Sequence, residues 1–347
     1  LGIDREERER LRLLDQQLRA DPRDPAIWGE KADLLAGLGR EGEALDCYER
    51  ALEIDPTSAD LWCNLGVLQA RMGRLSPALA SFDEALDLDP FRLEVRVNKG
   101  VCLVDAGRTE AALGCFEEIL SEYPDSWRAW SGKGQCLHNL RRDEEAVFCF
   151  DRALEFAPDN PEIWCNLGRC LEGLGRDQNA LECYERAGRA DPPSIRAWFS
   201  AGALLARKGR LGDALLCYQR AVAIRPEDPA VLASIGAALG GMGRVQEALD
   251  CFDRALKLAP SDPQLLFEKG DVLAAAGRPA EALACYTVGL ERNRQDIHAW
   301  YGRGAAEERL GRLDEARRSF ARFLLLRPNP ARFDAERRHA IQILRDS

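Results

Sequence analysis

The chain has 347 residues, 46% of them apolar and 31% charged, enough to build a large core and too apolar for a disordered polymer. A formal charge of −10 and a pI near 5.1 exclude a general nucleic-acid binder, which needs surplus Lys and Arg on one face, so no nucleic-acid partner is expected. No window approaches roughly 18 uninterrupted apolar residues, and the start, Leu1-Gly2-Ile3-Asp4, lacks a signal peptide's basic and apolar regions, so no membrane association is expected.

Taken in chain order, Arg5 to Ala20 places Leu11, Leu14 and Leu18 on one helical face and stops at Asp21-Pro22, so 1–24 reads as half a helix pair or a capping helix. From Pro25 the chain coincides with itself at a shift of 34 residues through nine segments without an insertion: 25–58, 59–92, 93–126, 127–160, 161–194, 195–228, 229–262, 263–296 and 297–330. Eight segments close a first helix with Gly-Arg, from Gly39-Arg40 to Gly311-Arg312, because glycine takes the left-handed conformation that ends a helix. The fourth has Arg141-Arg142 there, so its first helix is expected to end under strain. Second helices stop near proline, as at Asp55-Pro56 and Asp191-Pro192. After the ninth segment, Asn329-Pro330 reads as the cap and first residue of a closing helix with Phe333, Ala340, Ile341 and Leu344 on one face, making 331–347 a C-terminal cap. About 20 helices are predicted in all.

Numbering each segment from 1 to 34 shows where size is controlled. Position 4 is mostly Trp, as at Trp28, Trp62 and Trp164. Position 8 is Ala32 and then Gly from Gly66 to Gly304, position 20 is Ala throughout, and position 24 is always Tyr or Phe, from Tyr48 to Phe320. Small residues on two antiparallel helices let their backbones approach while aromatic rings fill the flanking space. This pattern and period are similar to those of the tetratricopeptide-repeat family. The resemblance implies an all-α, right-handed superhelical solenoid of antiparallel helix pairs, with first helices lining a concave groove through positions 2, 5, 6, 9, 12 and 13.

Seven of the twelve cysteines stand at position 23, and with no Cys-x-x-Cys they read as small apolar filler in a reducing, cytoplasmic setting. Cys63 and Cys165, at groove position 5, are expected to alkylate first under native conditions. His138, His298 and His339 lie far apart in sequence, so no metal site, cofactor or acid–base pair is expected, and the chain is not read as an enzyme.

In the groove, Asn64, Asn98 and Asn166 share position 6, followed by Ser200. An amide both donates and accepts, so it can pair with the backbone of an extended peptide, as in the asparagine ladder of the repeat region of O-GlcNAc transferase. Arg128, Arg169, Arg196 and Arg207 make the middle basic and suit an acidic peptide, whereas Phe199 and Phe267 line a small, apolar stretch. The carboxylate clamp of heat-shock co-chaperones is matched only by Asn166 and the charge of Arg196, so that role is not expected. The expected function is a scaffold or adaptor that binds a peptide or helix of a partner protein. The alternatives are a substrate-recruiting region of a larger enzyme, such as a glycosyltransferase, and a self-assembling solenoid.

Overpacking tests the alignment directly. Ala146→Leu is expected to cost about 1–3 kcal/mol, read as a lower thermal midpoint, and an unchanged midpoint would place position 20 outside the core.

Overall fold

The computed structural model describes residues 5–345, and among them it forms twenty helices and no strand. The chain divides into two compact units between Arg176 and Asp177. The first contains α1 (Arg5–Ala20), α2 (Pro25–Gly37), α3 (Glu41–Ile54), α4 (Ala59–Arg71), α5 (Leu75–Leu88), α6 (Leu93–Asp105), α7 (Thr109–Glu122), α8 (Trp127–Asn139), α9 (Asp143–Phe156) and α10 (Pro161–Gly173). The second contains α11 (Asp177–Gly188), α12 (Ile195–Arg207), α13 (Leu211–Ile224), α14 (Pro229–Gly241), α15 (Val245–Leu258), α16 (Pro263–Ala275), α17 (Pro279–Arg292), α18 (Ile297–Arg309), α19 (Leu313–Leu325) and α20 (Asp334–Arg345).

Within a pair the position-24 ring is held against position 8. A Cβ added to Gly66 would lie 2.7 Å from the Phe82 ring, and one on Gly304 the same distance from Phe320. Position 20 completes the contact: every alanine from Ala44 to Ala316 has no exposed surface. Successive pairs are then tied by the position-4 tryptophans. Trp62 Nε1 donates to Pro56 O at 2.9 Å, Trp130 to Pro124 O at 2.9 Å and Trp300 to Arg294 O at 2.9 Å, each to the backbone six residues earlier. Where Leu266 replaces the tryptophan, the equivalent carbonyl, Pro260 O, accepts from Arg292 instead. Where Arg96 replaces it, the guanidinium pairs with Glu122 at 2.7 and 3.0 Å.

Trp198 departs from this rule. Its indole donates to Gly188 O at 2.8 Å and is 4% exposed. The other segments have Leu or Val at the place of Gly188, and the Trp198 ring occupies the space that such a side chain would fill.

First helices other than α6, which starts after Arg92, are capped by side chains: Ser58 Oγ accepts from Leu61 N, Asn160 Oδ1 from Glu162 N and Asp296 Oδ1 from Ala299 N. Second helices begin at an arginine that cannot accept, so its guanidinium turns onto the acid three residues on, as in Arg40–Glu43 and Arg244–Glu247, both at 2.6 Å. These exposed pairs add little stability each. The closing helix begins at Asp334, four residues later than the sequence suggests. Asn329 Oδ1 accepts from Ala331 N at 2.9 Å, so Asn329-Pro330 shapes a turn that seats Phe333 in the core before the helix starts.

The first helices end alike: Arg74 N donates to Gln69 O and Gly73 N to Ala70 O, with Gly73 at φ +73°. In the fourth pair Arg141 makes the same turn at φ +63°, as its sequence leads one to expect. Relieving that left-handed arginine by Arg141→Gly is expected to stabilise the protein by about 1 kcal/mol. A thermal or urea midpoint that falls instead would mean the Arg141 side chain contributes more than its backbone conformation costs.

Candidate functional site

Successive first helices touch one another within each unit, as α4 touches α6 and α14 touches α16, whereas second helices make no comparable contact with each other. The closely spaced layer is the inner side of the curve, so in each unit the first helices line a concave face.

In the first unit the residues expected on that face include Asn64, Asn98, Arg128 and Arg169. Asn64 is half-buried and its Nδ2 lies 3.4 Å from Asp33 Oδ1, which also accepts from Tyr48. Asn98 is half-buried, with its Nδ2 4.0 Å from Cys63 Sγ. Arg128 is exposed and lies over the Trp127 ring at 5.3 Å, and Arg169 is half-buried. Asn166 is buried, so its amide is not offered to a ligand as expected.

In the second unit Arg207 is exposed and Phe199 and Ser200 are half-buried, with the Phe199 ring 5.8 Å from that of Tyr218. Phe267 is only 2% exposed, which corrects its expected place in the groove. Position 5 turns inward against position 27 of the same segment: the Phe267 ring fills the room left by Gly289, and Tyr301 packs on Phe323 at 5.4 Å. A cleft of about 500 Å³ opens between the first turns of α12 and α14, lined by Arg196, Phe199, Arg225, Asp228 and Ala230 among others. Asp228 Oδ1 is committed to capping α14, accepting from Ala230 N and Val231 N, while its Oδ2 lies 3.7 Å from Arg225.

The same inward turn corrects the expectation for the cysteines. Cys63 and Cys165, at position 5, are buried, whereas Cys115, Cys251 and Cys285, at position 23, are half-buried. Position 23 also explains its two serines. Segments with Cys there have Leu at position 11, but Ser81 donates to Gln69 Oε1 at 2.8 Å and Ser319 to Glu307 Oε2 at 2.6 Å, both at position 11. Glu307, 2% exposed, is further neutralised by Arg303 at 2.8 Å. Comparing positions 11 and 23 together would have revealed this from the sequence.

The histidines do not meet one another, yet each finds a carboxylate. His298 Nε2 lies 3.0 Å from Asp271, which raises its pKa, and His339 Nε2 lies 3.2 Å from Glu308. His138 Nδ1 lies 2.5 Å from Asp143, and both approach Cys170. Distance between histidines in sequence was therefore the wrong criterion for clustering.

Under native conditions a thiol-alkylating reagent is expected to modify Cys115, Cys251 and Cys285 before Cys63 and Cys165, as read by peptide mass spectrometry. Burial pushes all three thiols above the ordinary value, so the rate should keep rising with pH beyond the range where a free cysteine levels off. Faster labelling of Cys63 or Cys165 would contradict the inward turn of position 5.

No described helix is long and apolar enough to cross a membrane. No curated protein matches the chain. Among solved structures, the Cut9-Hcn1 hetero-tetramer of the APC/C is similar at 14% identity, covering 93% of this chain and 76% of that one with a TM-score of 0.55. A monomeric IFIT1 mutant with Gppp-AAAA is similar at 18% identity, covering 96% and 85% with a TM-score of 0.54. These likenesses concern the fold. Family models for the TPR repeat match residues 32–73 and for the tetratricopeptide repeat residues 59–91. The model of the cilia and flagella-associated protein 70 C-terminal domain matches residues 78–268 and, in an overlapping placement, 117–321. With its helix pairs repeating every 34 residues, the chain belongs to the tetratricopeptide-repeat family and is matched over more than half its length by the model of the cilia and flagella-associated protein 70 C-terminal domain.

Proposed function

We propose that the chain is a scaffold whose concave faces hold an acidic segment of a partner protein, with nine repeats spanning 25–330 as the binding array. Its fold is typical of protein–protein interaction, and its family is generally non-catalytic. The observation that carries the reading is the cleft beside α12 and α14: Arg196 and Arg225 line, together with Phe199, a hollow of about 500 Å³. A planar guanidinium fork matches a carboxylate, and an adjacent half-buried ring gives an apolar side chain a surface to cover.

The remaining site residues extend the surface within each unit. In the first, Asn64 and Asn98 present amides to a peptide backbone and Arg128 and Arg169 supply charge. In the second, Ser200 and Arg207 continue the face from Arg196. Asn166 and Phe267 support the face from beneath. Cut9 is found in an assembly with a second protein, which accords with this reading.

A capture experiment with the full chain tests the proposal. Arg196→Glu combined with Phe199→Ala is expected to weaken binding of an acidic partner peptide by tenfold or more, since each charge-assisted contact contributes about 1.5–3 kcal/mol. Identical partner sets for wild type and variant would reject the cleft, and a solution mass above 38.6 kDa that the variant abolishes would assign it to self-assembly instead.

A further inference from the structure

A repeat protein carries its own controls, because the same three-dimensional junction recurs with different residues. Position 12 at the end of one first helix, position 17 at the start of the following second helix, and position 10 of the next first helix come together where two segments join. At one junction these are Ala70, Leu75 and Cys102, with Cys102 Sγ 3.6 Å from Leu75 O. At another they are Gly240, Val245 and Val272, with the Val272 side chain lying over the Cα of Gly240. Between the fourth and fifth segments they are His138, Asp143 and Cys170. An apolar joint is there replaced by an imidazole, a carboxylate and a thiol.

We propose that His138, Asp143 and Cys170 form a three-ligand site for a zinc ion. A ring nitrogen of His138, a carboxylate oxygen and Sγ all lie within 4.8 Å of one another, with Nδ1 the nitrogen turned to Asp143, so modest side-chain rotation brings each to the roughly 2.0–2.3 Å that zinc requires. Three helices hold them: His138 lies in the last turn of α8, Asp143 opens α9 and Cys170 lies in the last turn of α10. The room for the carboxylate is also built in. A Cβ on Gly173, one turn beyond Cys170, would lie 3.0 Å from Asp143 Oδ2, much as Gly241 makes room for Leu211 at its own junction.

The donor set fits zinc's borderline softness, which accepts nitrogen, oxygen and sulfur together. It also balances charge. The thiol, which burial pushes up to about 12, releases its proton to solvent as the Zn–S bond forms, and the proton on Nδ1 moves to Nε2 so that the Nδ1 lone pair is free. Zinc with one thiolate and one carboxylate then carries no net charge, so it can sit in a largely buried joint without the penalty of an isolated ion. Cys170 has no exposed surface while the His138 side chain is 18% exposed, so the fourth tetrahedral position opens on the histidine side.

Cobalt(II) reports the site, because thiolate ligation gives a near-ultraviolet charge-transfer band that hydrogen-bonded His–Asp pairs and the other thiols do not. Wild-type protein should bind one equivalent with that band and lose it when zinc is added. Cys170→Ser should abolish the band. His138→Ala should weaken cobalt binding a hundredfold or more, since even losing an outer partner of a ligand costs about ten- to hundredfold. Far-UV circular dichroism establishes that each variant is folded, and His138→Ala, at the partly exposed position, decides if Cys170→Ser melts. Folded wild type without the band, or a band that survives in a folded variant, would overturn the proposal and leave a simple His138–Asp143 ion pair beside a buried thiol.

Discussion

The helix pairs of this structure rest on an aromatic ring pressed against a small residue at position 8, glycine in every segment but the first, which has Ala32. Rings at position 24 lie so close to position 8 that a single added carbon would sit 2.7 Å from the ring at Gly66 or Gly100. That approach sets the spacing within a helix pair and leaves room for nothing larger than alanine at position 20. Dispersion contacts of this kind are individually weak, but they recur from segment to segment and together hold each helix pair at its spacing.

The fold was legible because its determinants are sizes, and size is written in residue identity. First-helix starts fall at Pro25, Ala59 and each 34th residue after them, and the strained turn at Arg141 could be read from the absence of one glycine. The closing helix was placed too early because Asn329-Pro330 has the chemistry of both a cap and a turn, and the docking of Phe333 decides between them.

The candidate site was less legible, for a physical reason. Where a position-5 side chain points depends on the space that neighbouring helices leave it, as Gly289 does for Phe267 from 22 residues away. Gly289 draws Phe267 inward, whereas Gly188, which stands in a column of Leu and Val, makes room for the position-4 ring of Trp198. Clusters such as His138, Asp143 and Cys170 are hidden in the same way, since they span a junction and share no column.

The contacts differ in how much they ask of a neighbouring repeat. The ring at position 24, the alanine at position 20 and the polar pair at positions 11 and 23 all lie inside one segment, so they are copied intact when the segment is duplicated. The tryptophan link crosses a boundary, but it asks its neighbour only for a backbone carbonyl, which every residue supplies. An array built this way can gain or lose whole segments without stranding a buried polar group. His138, Asp143 and Cys170 are one counterexample: side-chain chemistry shared across a boundary makes the fourth and fifth segments a matched pair whose order matters.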